Sequence, residues 1–386
     1  MGASRFSSEV YARRLAAASA GAAAAGLAGL VVTPGYDLRY LIGSRAQTFE
    51  RLTALVIPAT GAQERSDPGK PTSIAAMVLP RMELAALRES VVDDLGLVIR
   101  DWVDGADPYR LVADVLGGNP AAVGVTDSMP ALHLLPLAER LGAVPVLATG
   151  VLAGLRMVKD PAEIEVLRTA GAAIDRVHAR VPEFLVAGRT EAEVAADIIE
   201  VIVAEGHSEA AFVIVGSGPH GADPHHECSD RELQSGDIVV VDIGGPVEPG
   251  YHSDCTRTYS LGEPSTEIAA QYAVLQRAQA AAVASVRPGV TAEQVDAAAR
   301  DVLAEAGLAE FFVHRTGHGI GLSVHEEPYI VAGNDLPLAQ GMAFSVEPGI
   351  YIPGRWGARI EDIVIVTADG ALPMNARPHD LAVVPL

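Results

Sequence analysis

Asp242, Asp254, His318, Glu347 and Glu361 are the residues of this chain whose types and surroundings point to chemistry. Four carboxylates and an imidazole form a ligand set for two hard or borderline divalent cations held close together, with carboxylates free to bridge them. A site of that kind makes hydroxide from water near neutral pH, so the set points to metal-assisted hydrolysis. Asp242 closes the apolar run Ile238-Val239-Val240-Val241 before Gly244-Gly245. Asp254 lies in Ser253-Asp254-Cys255-Thr256-Arg257-Thr258, after the hairpin-like Glu248-Pro249-Gly250. Glu347 follows Phe344-Ser345-Val346 and precedes Pro348-Gly349, and Glu361 lies in Arg359-Ile360-Glu361-Asp362. Alternation puts Arg359 and Glu361 on one face with Ile360 opposite. His318 is flanked by Gly317 and Gly319, so backbone can approach a ligand there. Taken singly, each has an ordinary alternative: a turn aspartate, a partner for Arg257, an Arg359–Glu361 ion pair, a histidine in a glycine turn. The argument rests on all five together.

Other histidines surround this set. His314 precedes His318 by four residues, but the glycines between argue against a helical zinc pair. His325-Glu326-Glu327-Pro328 lacks the second histidine of the helical zinc-protease signature. His225, in Asp223-Pro224-His225-His226, and His325 follow glycine-containing turns near the ligand segments. They suit polarising a carbonyl or an oxyanion, with solvated surface histidines as the alternative.

The elements that must position these groups fall into two domains, 1–155 and 156–386. At 386 residues the chain exceeds one ordinary core. The first domain alternates strand and helix patterns, which predicts an α/β unit: Leu52 to Ile57, Met77 to Leu79, Val98-Ile99, Val123 to Val125 and Val144 to Leu147 read as strands. Tyr109 to Leu116 and Met129 to Leu141 read as helices, with Pro136 predicted to kink or split the second. The uncharged run Leu15 to Val32 is read as a helix and then a strand, with a twin-arginine export signal as the alternative. Asp160-Pro161-Ala162-Glu163 is a helix start, and the helix should run to about Arg180, before Pro182.

The second domain repeats itself. Gly188-Arg189-Thr190-Glu191 matches Gly289-Val290-Thr291-Ala292 at an offset of 101 (289 − 188). Gly236 to Asp242 matches Gly341 to Glu347 at an offset of 105 (347 − 242). Two similar halves about a pseudo-twofold would pair Asp242 with Glu347, and Asp254 approximately with Glu361, around a shared centre.

Hydrophobic content of 49% and charged content of 20% describe a folded globular chain. The net charge of −21 argues against nucleic acid and anionic membranes as partners. The two cysteines, Cys228 and Cys255, exclude a disulfide scaffold and fit a reducing cytoplasm.

Val241-Asp242-Ile243-Gly244-Gly245, the Ser253 to Thr258 segment, Gly317-His318-Gly319-Ile320-Gly321, Val346-Glu347-Pro348-Gly349 and Arg359-Ile360-Glu361-Asp362 resemble the five metal segments of the pita-bread metallopeptidases. The proline-specific branch, Xaa-Pro dipeptidase and aminopeptidase P, is the best match. Thr33-Pro34-Gly35-Tyr36 through Gly43 resembles the first strand and turn of that branch's creatinase-like N-terminal domain. The resemblance implies an α/β (α+β) chain with a creatinase-like domain and a pseudo-twofold pita-bread catalytic domain. It implies two divalent ions, manganese first, with cobalt, iron or zinc as alternatives. Asp242 would hold one ion, His318 and Glu347 the other, and Asp254 and Glu361 would bridge both. His225, His314 and His325 fall where the family keeps active-site histidines, and Arg359 where it keeps an arginine behind the ligands.

The implied activity is hydrolysis of the bond before a proline in second position, by a hydroxide shared between ions ~3.5–4 Å apart. Glu347 would shuttle the proton, with His225 and His325 at the oxyanion. A homodimer is implied as well. Two departures stand out. The aspartates are twelve positions apart (254 − 242) instead of the usual eleven, and Tyr329 occupies a position where some prolidases carry an arginine for a dipeptide's carboxylate. The dipeptidase and aminopeptidase readings therefore both stay open, as does a metal-free creatinase-type hydrolase or a non-catalytic peptide-binding relative.

Overall fold

The computed structural model describes residues 5–47, 49–59, 75–118, 120 and 122–386. The chain divides into two units between Arg156 and Met157.

The N-terminal unit carries β1 (Gly29–Val32), β2 (Ala54–Pro58), β3 (Ala76–Pro80), β4 (Val98–Trp102), β5 (Gly124–Val125) and β6 (Val146–Leu147) in one sheet, ordered β4-β3-β2-β1-β5-β6. β1, β2 and β3 are antiparallel neighbours, whereas β4, β5 and β6 pair parallel. Helices α1 (Ser8–Ala24), α2 (Tyr36–Ile42), α3 (Leu84–Leu87), α4 (Pro108–Val115), α5 (Ala131–Leu141) and α6 (Thr149–Met157) accompany it. The uncharged N-terminal run divides into α1 and β1 around Gly26, whose φ of +72° suits a residue without Cβ. Pro136 does not split α5, which is one helix with His133, Leu137 and Leu141 buried along one side. The side-chain packing outweighs the one backbone bond that proline removes.

The second unit contains β7 (Phe212–Ser217), β8 (Ile238–Val247), β9 (Tyr251–Leu261), β10 (Gly317–Gly319), β11 (Glu326–Ile330), β12 (Ala343–Val346), β13 (Gly349–Ile352), β14 (Trp356–Arg359), β15 (Asp362–Val366), β16 (Ala371–Pro373) and β17 (Ala382–Val384). Its helices are α7 (Pro161–Phe184), α8 (Glu191–Ala204), α9 (Thr266–Ser285) and α10 (Ala292–Glu305). One sheet runs β17-β9-β8-β7, a second β11-β10-β12-β15-β16, and β13 and β14 form a hairpin. Ile174, Val177, Ile198 and Val241 share one core, joining α7 and α8 to the first sheet. Leu275, Val295, Phe344 and Val364 share another, joining α9 and α10 to the second.

These halves are two copies of one plan. The backbone bonds Gly188 N to Leu233 O (2.8 Å) and Glu191 N to Arg231 O (3.1 Å) recur as Gly289 N to Leu338 O (2.9 Å) and Ala292 N to Leu336 O (3.1 Å). The Gly236 N to Leu261 O bond recurs as Gly341 N to Val366 O. The halves are stitched together where Glu361 N donates to Thr256 O at 3.2 Å and Thr258 Oγ1 donates to Arg359 O at 2.9 Å. α7 opens with the reciprocal Asp160–Glu163 cap but runs past Arg180 to Phe184. Pro182 cannot bond the carbonyl of His178, and the Tyr259 hydroxyl supplies that donor at 3.2 Å.

Candidate active site

β8 and β9 form a hairpin of ten consecutive cross-strand pairs, from Ile238↔Ser260 to Val247↔Tyr251. Asp242 faces Thr256, and Gly244 faces Asp254. Opposed residues and residues two apart share a face, so Asp242, Asp254 and Thr256 all point to one side. The twelve-residue step between the aspartates is absorbed in the turn Glu248-Pro249-Gly250, without a break in register.

The opposite half brings the other three. His318 is the middle residue of β10, and its backbone N–H donates to Ser345 Oγ on β12 at 3.0 Å. A Cβ on Gly317 would lie 1.8 Å from Ser345 O, so only glycine lets β10 press this close to β12. Glu347 directly follows β12, and Glu361 directly precedes β15. His318 Nδ1 donates to Gly319 O at 3.1 Å, which turns Nε2 toward Glu347 Oε1 at 3.1 Å and Asp254 Oδ2 at 3.6 Å. Ligand atoms of Asp254, His318 and Glu361 all lie within 4.8 Å of one another.

A polar layer fixes these groups from behind. Arg359 donates from Nη2 to Asp242 Oδ2 and from Nη1 to the Tyr351 oxygen, both at 2.6 Å, and from Nε to Thr256 Oγ1 at 3.0 Å. Thr256 Oγ1 donates to Glu361 Oε2 at 2.6 Å, and Ser345 Oγ donates to Glu347 Oε1 at 2.9 Å. The Tyr351 hydroxyl donates to His314 Nε2 at 2.8 Å, because His314 Nδ1 is committed to Arg315 O at 2.7 Å. Burial, opposed in part by the Glu347 charge, lowers the His314 pKa and keeps that ring a neutral acceptor. Tyr351, Thr256 and Ser345 were not singled out in the sequence. Strand register makes Thr256 a neighbour of Glu361, whereas Ser345 reaches Glu347 two residues along its own strand.

The five residues, with His225, His314, His325, Arg315 and Arg359, line a cavity of about 720 Å³ whose apolar walls include Phe212, Ile214 and Val324. His325 sets its ring edge-on to His318, with centroids 4.1 Å apart. Burial, then the positive charges of His318 and Arg315, lower the His325 pKa to about 4. His225 is exposed on a loop tied down by Glu191. That buried carboxylate accepts from Ser217 N and Oγ, Ser229 N and Oγ, His220 and His226. Burial would raise its pKa, but these bonds prevail and hold it at about 2. Glu191, His220 and His226 cluster as metal ligands could, yet donors already occupy both Glu191 oxygens, so the cluster serves as an anchor.

Residues 165–368 match the model of metallopeptidase family M24, and residues 14–158 match the creatinase/prolidase N-terminal domain. The chain belongs to metallopeptidase family M24. It is 73% identical over its full length, and the relative's full length, to a probable dipeptidase PepE of Mycobacterium bovis. An Xaa-Pro dipeptidase of Lactobacillus helveticus is 37% identical over 293 residues, 74% of this chain and 79% of that one. The crystal structure of dipeptidase PepE from Mycobacterium ulcerans superposes with a TM-score of 0.94 and 73% identity, covering 99% of this chain and 100% of that chain. The fold is therefore the creatinase-like domain followed by the pita-bread domain of this family, and the chain is a peptidase.

Membership in the M24 family implies divalent metal ions, and the residues fit them. Asp242 Oδ1 is buried without a hydrogen-bond partner. Asp242, Asp254, Glu347 and Glu361 bring four negative charges into a buried space that contains one buried arginine, Arg359. Burial, then repulsion from the other carboxylates, pushes the Asp254 and Glu361 pKa values well up. Two divalent cations carry the four positive charges that would relieve that strain. Among the described residues no helix is long and apolar enough to cross a membrane.

Proposed function

We propose that the chain hydrolyses the bond between an N-terminal residue and proline, with a dipeptide as the preferred substrate. The observation that carries the reading is the set of four carboxylates and the His318 imidazole converging on one cavity, with the Asp242 Oδ1 acceptor unused. Asp242, Asp254, His318, Glu347 and Glu361 are the residues proposed to hold two divalent ions, manganese first among them. Oxygen-rich ligation favours such ions over a thiolate-type zinc site. When bound, the cations supply Lewis acidity that lowers the pKa of water to about 7.

The protein's own groups do the rest. The substrate amine sits toward Asp242, and the prolyl ring lies against apolar wall residues such as Phe212, Ile214 and Val324. Proline offers no N–H, so shape and not backbone pairing must recognise it. Water attacks the scissile carbonyl carbon while Glu347, oriented by Ser345, accepts its proton. The same proton passes to the prolyl nitrogen as the C–N bond breaks. His325 and His225 donate to the developing oxyanion; His325, neutral at pH 7, does so through a ring N–H. His314 acts through Tyr351 and Arg359 and not on the substrate, since both its ring nitrogens are engaged.

A cytoplasmic homodimer completes the proposal, supported by two free cysteines in the first respect and by family resemblance in the second. Light scattering on the purified protein tests the assembly. The chemical reading is tested with Asp254→Asn and Glu361→Gln, loaded with manganese and assayed on an Xaa-Pro dipeptide. Each is expected to lose more than about 100-fold in kcat/KM, beyond the loss typical of an outer-shell change. Chelation should abolish wild-type activity and manganese should restore it. Wild-type rates in both variants would sink the reading.

A further inference from the structure

We propose that Asp296, braced by Arg300, is a positioning residue for the half of the metal centre built on His318 and Glu347. The inference rests on the ligand reading above, in which those two residues share one ion. Asp296 and Arg300 lie on α10, one helical turn apart, and neither lines the cavity. Asp296 is buried, and both its oxygens are engaged. Oδ1 accepts from the Thr316 N–H at 3.1 Å and from the Thr316 hydroxyl at 2.7 Å. Oδ2 accepts from Arg300 Nε at 2.7 Å.

The segment held in this way, residues 312–316, belongs to no helix or strand. Backbone outside a sheet has no ladder to fix it, so its polar groups must find other partners. Here α10 supplies them. Arg300 donates from Nη1 to Phe312 O at 3.2 Å and from Nη2 to His314 O, with its guanidinium over the Phe312 ring. Every second residue from Phe312 to Thr316 is therefore gripped from one helix. Thr316 passes that hold to both ligands. Its carbonyl accepts from Glu347 N at 2.8 Å, and its chain runs through Gly317 into His318. Asp242 hangs from none of this: it sits on β8 and is held by Arg359.

The other half uses the same device. Glu191 on α8 takes both the N–H and the hydroxyl of Ser217, ahead of the loop that carries His225. In each half a buried helix carboxylate thus holds a hydroxyl residue whose chain leads to a histidine of the cavity. Metal–ligand distances tolerate departures of only about 0.2 Å, so slack at Thr316 reaches the ion as lost affinity. Thr316 N also donates to Ile330 O at 3.0 Å, so altering Asp296 loosens this junction without detaching it.

The test titrates manganese by calorimetry into the metal-free wild type, Asp296→Asn, Thr316→Val and Thr316→Ser. The wild type is expected to take two ions per chain. Asp296→Asn keeps the shape but turns an amide N–H2 against either the Thr316 donors or Arg300. It should weaken one ion by roughly 10- to 100-fold and leave the other unchanged. Thr316→Val should weaken the same ion, whereas Thr316→Ser, which keeps the hydroxyl, should bind as the wild type does. Combining Asp242→Asn with Asp296→Asn should weaken both ions. Crystal structures of the metal-free wild type and Asp296→Asn should show His318 displaced and Asp242 in place. Equal weakening of both ions in Asp296→Asn, or wild-type affinity at both, would overturn the proposal. A wild type that takes fewer than two ions sinks the two-ion reading instead. The metal-free structures then decide the role of Asp296 alone, and an unmoved His318 ring refutes it.

Discussion

Tyr351 is a single hydroxyl between the acidic cluster and the histidines. It accepts from Arg359 and donates to His314, and burial raises its pKa to about 12, so it stays protonated at working pH. Removing the oxygen leaves Arg359 Nη1 and His314 Nε2 without it and loosens the grip of Arg359 on Asp242. Tyr351→Phe is expected to lower metal affinity or activity by roughly 10- to 100-fold, the usual cost of disturbing groups behind a metal site. Metal titration and kinetics on the same preparation check this. A purely packing role would leave both unchanged, since the ring itself is retained. Glu347 is held to a different state from its neighbours. Burial works against its ionisation, but the bond and charge of His318, with His314 and Arg359 beyond, hold its pKa at about 2. Asp254 and Glu361 are pushed the other way.

Among the elements, β10 is three residues long and carries its histidine by virtue of the glycines on either side. Gly317 would place a Cβ 1.8 Å from Ser345 O, and Gly319 one 2.2 Å from Glu327 O. Both contacts are with backbone, which cannot swing aside. Gly317→Ala is therefore expected to part β10 from β12, shift His318 and reduce metal-dependent activity by more than about tenfold, with the two larger cores intact. Circular dichroism should remain close to wild type while metal affinity falls. Unaltered metal binding would disprove the need for that close approach. Gly357 plays a related part, since its Cβ would meet Gly221 O at 1.8 Å where β14 abuts the turn before His225.

Over the whole molecule, stability in acid follows from histidines buried without charge. His178 Nε2 donates to Cys255 O at 3.0 Å, and the Tyr259 hydroxyl lies 3.0 Å from Nδ1. Burial, then the nearby Arg257 charge, lowers its pKa to about 3, and burial lowers His207 to about 4. The folded values lie below the unfolded 6.5. Stability from these groups is thus complete above about pH 6.5 and is lost as pH falls toward 4 and then 3. Each group can contribute a slope of up to about 1.4 kcal/mol per pH unit across its window. Melting temperature should fall steadily from pH 6.5 downward, and His178→Gln should flatten the slope. An equal slope in the variant would place the acid sensitivity elsewhere.

The strand periodicities, the helix caps and the internal repeat were legible in the sequence because each is written in neighbouring residues. The acidic residues and His318 stood out because each follows or interrupts an apolar strand, where an unliganded polar group is costly. The early stop expected for α7 failed because a distant tyrosine supplies the donor that Pro182 lacks. Tyr351, Thr256, Ser345 and Glu191 carried no comparable local signal. Their partners come from strands and turns up to 105 residues away, as with Thr256 and Glu361. Residue types and local pattern are set by the chain itself, but which oxygen faces which nitrogen depends on strand register and on the meeting of two halves, and those exist only in three dimensions.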